Sequence, residues 1–153
     1  MVVDDEQISR NIVKGYIKRA EGLQLEAEFD NALDAVKRLE NGGIDLVFLD
    51  VEMPGMTGLE MVQTLDSAPQ IIMITGREKY AVQAFEFSVT DYMVKPVAYE
   101  RFLQAVGKAR QNLKRPVLET EGEKDIYVKS DGKIVRIKLE QILLVEALSD
   151  YVI

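Results

Sequence analysis

Residues 44–58 read IDLVFLDVEMPGMTG, and this stretch decides the fold. Ile44–Leu49 is apolar apart from Asp45. Such a run marks a strand buried on both faces, as in a parallel sheet covered by helices on each side. The run stops on an acid, Asp50. Met53-Pro54-Gly55 then supplies turn residues for a loop over Val51–Thr57, leading to a short helix that begins near Gly58.

Working outward, apolar runs alternate with segments of helical period. Met1–Val3 is a strand stub that runs into Asp4 and Asp5. Ile8, Ile12, Val13, Tyr16 and Ile17 recur at helical spacing, with Glu6 expected to cap that helix. Leu23, Leu25, Ala27 and Phe29 alternate at period two, which predicts a half-buried strand. Asp30 or Asn31 can cap a helix whose inner face is Leu33, Val36 and Leu39, ended by Gly42–Gly43. Downstream, Ile71–Ile74 predicts a buried strand, Tyr80–Phe87 a helix, and Tyr92–Val94 a strand ending at Lys95-Pro96. Phe102, Leu103, Val106, Ala109 and Leu113 outline a last amphipathic helix. Five strand–helix units predict an α/β fold, a doubly wound five-stranded parallel sheet of the flavodoxin-like kind, with strand order 2-1-3-4-5.

The domain organisation read from the sequence is 1–113 for this fold, 114–124 for a linker and 125–153 for a partial β segment. The linker holds Pro116, Gly122 and a run of charge. Beyond it, Ile126–Lys129 and Ile134–Lys138 flank Asp131-Gly132, the signal of a β-hairpin. Leu143–Ala147 and Tyr151–Ile153 predict further strand.

Composition removes several function classes. The chain has no His and no Cys, which excludes catalytic triads with imidazole, thiol nucleophiles and His- or Cys-bound zinc. The net charge is -7, and residues 124–153 carry five basic and five acidic side chains, so the whole excess lies upstream. Bulk electrostatics therefore disfavour nucleic-acid binding. No apolar run approaches the roughly 20 residues of a membrane span. The opening MVVDDEQ has neither a basic leader nor a long apolar stretch, so a cytoplasmic location is expected.

In sheets of this order, ligands gather beyond the carboxyl ends of the strands. Asp4 and Asp5 end the first strand, Asp50 the third, Thr75 the fourth and Lys95 the fifth. Two carboxylates about 5 Å apart repel by roughly 3 kcal/mol at an effective dielectric near 20. Three of them need compensating cations. Lys95 offers one, and a hard ion such as Mg²⁺, or alternatively Mn²⁺, offers the rest. Its ligands would be Asp5 and Asp50, Asp4 directly or through water, and the backbone carbonyl of Glu52. Asp50 is the central acid, flanked by metal and ammonium, and thus the expected nucleophile toward phosphorus. Thr75 would donate its hydroxyl to a phosphoryl oxygen.

Asp4-Asp5, the run Asp50-Val51-Glu52-Met53-Pro54-Gly55-Met56-Thr57-Gly58, Thr75-Gly76 and Tyr92-Met93-Val94-Lys95-Pro96 together resemble the receiver family of two-component signalling. The resemblance covers about Met1 to Leu113. It implies that Asp50 is the phosphorylated aspartate, Asp4 and Asp5 the metal-binding acids, Thr75 the switch threonine, Lys95 the family's lysine and Tyr92 its rotating aromatic. It also implies a cis peptide at Lys95-Pro96, a phosphodonor that is a partner histidine kinase, and a homodimer formed on phosphorylation. Receivers carry more apolar residues before the acidic pair than Met1–Val3, so weakened strand pairing is expected there.

The tail, from Ile126-Tyr127-Val128-Lys129 through Glu146-Ala147-Leu148-Ser149-Asp150-Tyr151-Val152, is similar to the opening of LytTR-type DNA-binding domains. About the first third of such a domain is present. DNA binding and control of transcription are thus expected of a full-length parent rather than of this chain. Lys129, Lys133, Arg136 and Lys138 fit a solvated strand face better than a DNA contact, and Tyr80, Phe85 and Phe87 fit packing.

The expected function is therefore a phosphorylation-dependent response regulator, with self-phosphorylation and slow self-dephosphorylation but no enzymatic turnover. Two alternatives stand beside it. An aspartate-nucleophile phosphatase would want an Asp-x-Asp pair on one strand end, whereas the sequence has Asp50-Val51-Glu52 and shows no cap-domain insertion. A dimerisation module would work without phosphorylation. No G-x-x-x-x-G-K-[ST] run supports a P-loop ATPase.

Overall fold

The structure is a computed structural model that describes residues 1–65, 68–77, 89–114, 125–130, 133–138, 147–148 and 151–152. The chain divides into two compact units, Met1–Arg115 and Pro116–Ile153.

In the first unit the order of elements is β1 (Val2–Val3), α1 (Gln7–Arg19), β2 (Glu28–Phe29), α2 (Ala32–Glu40), β3 (Leu46–Asp50), α3 (Gly58–Gln63), β4 (Gln70–Thr75), β5 (Asp91–Val94) and α4 (Tyr99–Lys114). The five strands form one parallel sheet in the order β2-β1-β3-β4-β5, as expected. The predicted helix at Tyr80–Phe87 lies outside the described residues, as do the side chains of Tyr80, Phe85 and Phe87.

Strand alternation sorts the apolar residues onto two faces. Val3, Val47, Leu49, Ile71 and Met73 pack with Ala32 and Ala35 of α2 and with Met61 and Val62 of α3. Val2, Phe48, Ile72, Ile74 and Met93 pack with Val13 and Ile17 of α1 and with Phe102, Ala105, Val106 and Ala109 of α4. The continuous apolar character of β3 follows from this, because both of its faces are covered. Phe48 and Phe102 stack at 5.0 Å between ring centroids across one of those layers.

Three predicted helix faces need correction. Ile8 and Ile12 are 76% and 45% exposed, and the buried stripe of α1 is Arg10, Val13 and Ile17. Leu33 is 58% exposed, while Ala32 and Ala35 meet the sheet. Leu103 and Leu113 are likewise exposed, and Phe102, Ala105, Val106 and Ala109 face inward. In α2 and α4 small alanines occupy inward positions, and a leucine one position off the stripe is turned by about 100° toward solvent. In α1 the inward stripe is Arg10, Val13 and Ile17, which leaves Ile8 and Ile12 on the outer side.

The period-two stretch also differs. Side-chain exposure alternates from Leu23 to Phe29, yet ladder pairing is confined to Glu28–Phe29. On this side β1, Val2–Val3, pairs with Glu28 and Phe29.

The second unit contains an antiparallel pair, β6 (Asp125–Ser130) and β7 (Lys133–Lys138), in register from Asp125↔Lys138 to Ser130↔Lys133. A second antiparallel pair joins β8 (Ala147–Leu148) to β9 (Tyr151–Val152). The turn residues Asp131-Gly132, linker residues 115–124, the stretch 143–146 and Ile153 lie outside the described residues. No helix among the described residues is long and apolar enough to cross a membrane.

Candidate functional site

The parallel registers put the site residues on one edge. Val3 pairs with Leu49, Leu49 with Met73 and Met73 with Tyr92, so Asp4, Asp50, Thr75 and Lys95 all follow at the carboxyl ends of their strands. Asp4 and Asp50 are 3% and 4% exposed and Thr75 is fully buried, whereas Asp5 reaches solvent. One carboxylate oxygen from each of Asp4, Asp5 and Asp50 lies within 4.8 Å of the others.

Lys95 enters this cluster from the β5 end. Its Nζ stands 2.9 Å from Asp4 Oδ2, 3.0 Å from Asp50 Oδ2 and 3.1 Å from Glu6 Oε2. Its backbone N–H donates to Thr75 O at 2.8 Å, and the Lys95-Pro96 peptide is cis. Burial works to lower the Lys95 ammonium's pKa, but hydrogen bonds to Asp4 and Asp50 outweigh it and hold the group well above its ordinary value. The opposite balance holds at Asp50. Burial pushes its carboxyl up to about 6, the Lys95 hydrogen bond opposes this, and Asp4 adds to the rise. Asp50 is therefore an under-compensated acid. One ammonium does not neutralise it.

The loop after Asp50 is built around a close approach. Gly58 N donates to Val51 O at 2.9 Å, and a Cβ placed on Gly58 would meet Asp50 O at 2.1 Å. Only glycine fits there without a shift of backbone. Thr57 caps α3 with a full capping box, its side chain accepting from Glu60 N while the Glu60 carboxylate accepts from Thr57 N. Glu52 N points back toward Asp50 Oδ1 at 3.4 Å, and the Glu52 carboxylate pairs with Arg77 at 3.2 Å.

Arg77 joins the two expected switch residues. Its backbone N–H donates to Thr75 Oγ1 at 3.3 Å, and its carbonyl accepts from the Tyr92 hydroxyl at 2.5 Å. Tyr92 is half-buried.

Two further residues, Glu6 and Arg10, belong to the site that motif reading did not assign to it. Glu6 stands at the N-cap of α1 but makes no side-chain cap there, which corrects the expectation for it. Its carboxylate accepts from Lys95 and, at 3.0 Å, from Ser9. Asp4 Oδ1 instead accepts from Glu6 N at 2.9 Å and shapes the turn into the helix. Arg10, 8% exposed, donates to Asp4 O at 2.6 Å and Asp5 O at 3.1 Å, fixing the backbone of the acidic pair. A signal for Arg10 did exist, since it sits three residues before Val13 on the buried stripe of α1, where a charge needs partners. Gly58 closes the motif run from Asp50, and its approach to the Asp50 carbonyl gives the reason for a glycine there.

The donor set fits a hard divalent cation. Three carboxylates converge, one of them exposed, and the most buried pair shares a single ammonium.

Comparison with known proteins agrees with this geometry. A family model described as the response regulator receiver domain matches residues 1–107. An uncharacterized response regulatory protein of Yersinia pestis is 34% identical over 115 residues, 74% of this chain and 48% of that protein. The transcriptional regulatory protein LytR of Staphylococcus aureus is 34% identical over 113 residues, 72% of this chain and 46% of its own length. The chain spans about half the length of the curated relatives it matches. Among solved structures, the response regulatory domain of mrkE from Klebsiella pneumoniae superposes with TM-score 0.67 at 28% identity, covering 72% of this chain and 93% of that one. A chain of the CheX-CheY-BeF3-Mg+2 complex from Borrelia burgdorferi gives TM-score 0.62 at 26% identity, covering 69% of this chain and 83% of that one.

Proposed function

The chain belongs to the response regulator receiver family, and on that premise we propose that Asp50 is its phosphoacceptor, with Thr75 and Lys95 as the groups that receive the phosphoryl oxygens. The carrying observation is the shared ammonium. Lys95 Nζ bridges the buried carboxylates of Asp4 and Asp50, with Asp5 near enough to complete a cation site.

Asp4, Asp5, Asp50 and the Glu52 carbonyl are the proposed ligands of Mg²⁺, with Mn²⁺ as an alternative. The bound ion would supply charge neutralisation toward the phosphoryl oxygens. The chain's own residues do the rest. An Asp50 oxygen attacks phosphorus, and Lys95 donates to one phosphoryl oxygen. The Thr75 hydroxyl donates to another, and the work is positioning and electrostatic stabilisation. Because Arg77 bonds both Thr75 and Tyr92, movement of Thr75 toward the phosphoryl group strains the Tyr92–Arg77 contact and favours an inward turn of Tyr92.

A partner histidine kinase is the proposed phosphodonor, and phosphorylation the trigger for homodimer formation. Residues 1–113 are the proposed receiver, 114–124 a linker and 125–153 the start of a LytTR-like domain. DNA binding and control of transcription are proposed for the full-length parent, supported by relatives named as transcriptional regulators. The phosphatase alternative is weakened by Glu52, whose carboxylate is engaged with Arg77 and whose amide, not its acid, faces Asp50.

Beryllofluoride, a phosphoryl mimic, tests the reading. With Mg²⁺ it should raise the melting temperature and increase the solution mass, and Asp50→Asn should lose both effects. A thermal shift that survives Asp50→Asn counts against Asp50. An unchanged solution mass favours a role independent of phosphorylation-driven assembly.

A further inference from the structure

Three carboxylate oxygens crowd the Lys95 ammonium, Asp4 Oδ2 at 2.9 Å, Asp50 Oδ2 at 3.0 Å and Glu6 Oε2 at 3.1 Å. It hydrogen-bonds to Asp50 and Glu6 and forms an ion pair with Asp4. A phosphoryl oxygen that needs Lys95 therefore competes with acceptors already in place. The three differ sharply in what displacement costs. The side chains of Asp4 and Asp50 are 5% exposed, so losing the ammonium leaves a buried carboxylate unpaired. The Glu6 side chain is 64% exposed, and water takes over its hydrogen bond at little cost. Glu6 is also held in place for its contact, because Ser9 Oγ donates to the same Oε2 at 3.0 Å.

We propose that Glu6 is a positioning residue that competes with the phosphoryl group for an N–H of Lys95 and thereby slows phosphorylation of Asp50. The inference rests on the phosphoacceptor reading of Asp50 and adds a determinant of its rate. In the step concerned, an Asp50 carboxylate oxygen forms a bond to phosphorus as the donor's bridging P–O bond breaks. With acetyl phosphate as donor, acetate leaves with the electron pair, and no proton transfer or redox partner is required. Before that oxygen reaches Lys95, the Glu6 contact opens.

The test compares the wild-type chain, Glu6→Gln and Glu6→Asp with acetyl phosphate and Mg²⁺, following label on Asp50 over time by intact mass. The apparent affinity for beryllofluoride is the second readout. Glu6→Gln removes the charge. Glu6→Asp keeps the charge but withdraws the carboxylate by one C–C bond, about 1.5 Å, from Lys95. Competition predicts that both variants label about two- to fivefold faster, the range an exposed ion pair supplies, and bind beryllofluoride correspondingly tighter. If Glu6→Asp behaves as wild type while Glu6→Gln is faster, the effect is general charge repulsion of the donor and the proposal is overturned. Unchanged or slower labelling in both variants also overturns it. A wild-type chain that takes no label overturns the phosphoacceptor reading and this inference together, whereas a labelled wild type with unaffected variants removes only the role of Glu6.

Discussion

Lys95 Nζ lies 3.0 Å from Asp50 Oδ2 across the gap between the ends of β5 and β3, residues 45 positions apart in the chain. The same ammonium holds Asp4, so one side chain keeps two buried acids compatible with the fold. Lys95→Met should strand both carboxylates and cost about 3 kcal/mol. Urea unfolding in metal-free buffer reads this directly, and added Mg²⁺ should restore part of the loss by binding the folded state. An unchanged midpoint would mean that the acids find compensation elsewhere.

Asp50 gives a pH prediction. Its carboxyl is raised from 3.8 to about 6 in the folded chain, chiefly by burial. Between those values the folded state binds more protons than the unfolded one, so stability falls as pH rises through this window. The full cost, on the order of 3 kcal/mol, is present above about pH 6 and absent below about pH 4. Asp50→Asn, neutral throughout, should be more stable than wild type at pH 7 without metal, and the difference should vanish by pH 4. Equal stability at pH 7 would show that Asp50 is not strained.

Two glycines should respond in opposite directions. Gly58→Ala forces a methyl against Asp50 O and should cost about 2–3 kcal/mol, with a drop in beryllofluoride binding. Gly15, inside α1, has nothing within 4 Å of an added Cβ, and Gly15→Ala should stabilise by about 0.5–1 kcal/mol. Thermal unfolding of the pair checks both signs.

Asp91 ties β5 to α4 through Arg101 at 2.6 Å and Lys108 at 2.9 Å. Burial works to raise its carboxyl, but the hydrogen bonds from Arg101, Lys108 and the Tyr92 amide, together with the Arg101 charge, outweigh burial and hold it below its ordinary 3.8. A depressed acid contributes stability above its unfolded pKa and loses it as pH falls through the folded value. Asp91→Asn should therefore cost about 1 kcal/mol at pH 7, and the gap should close below about pH 4. A gap that persists at pH 2 would assign the loss to packing instead.

The strand order and the convergence of Asp4, Asp5, Asp50 and Lys95 were legible because apolar runs that end in chemically distinctive residues fix both the sheet and the edge where those residues meet. Helix faces were less legible. Leu33 and Leu103 carry more hydrophobicity than Ala32, Ala35 or Ala105, yet the alanines face the sheet, and in α1 Ile8 is exposed while Arg10 is buried. Glu6 stands where a helix cap is expected, but its side-chain partner Lys95 is 89 residues away. Gly58 carries no local sign of its contact with the Asp50 carbonyl. Long-range approaches of this kind leave no periodicity to read.

The most direct test is covalent. The chain should take up one phosphoryl group from acetyl phosphate in the presence of Mg²⁺, seen by intact mass and mapped to Asp50, and lose that uptake with a chelator or with Asp50→Asn. Full labelling of the Asp50→Asn chain, or no labelling of the wild type, would contradict the account at its centre.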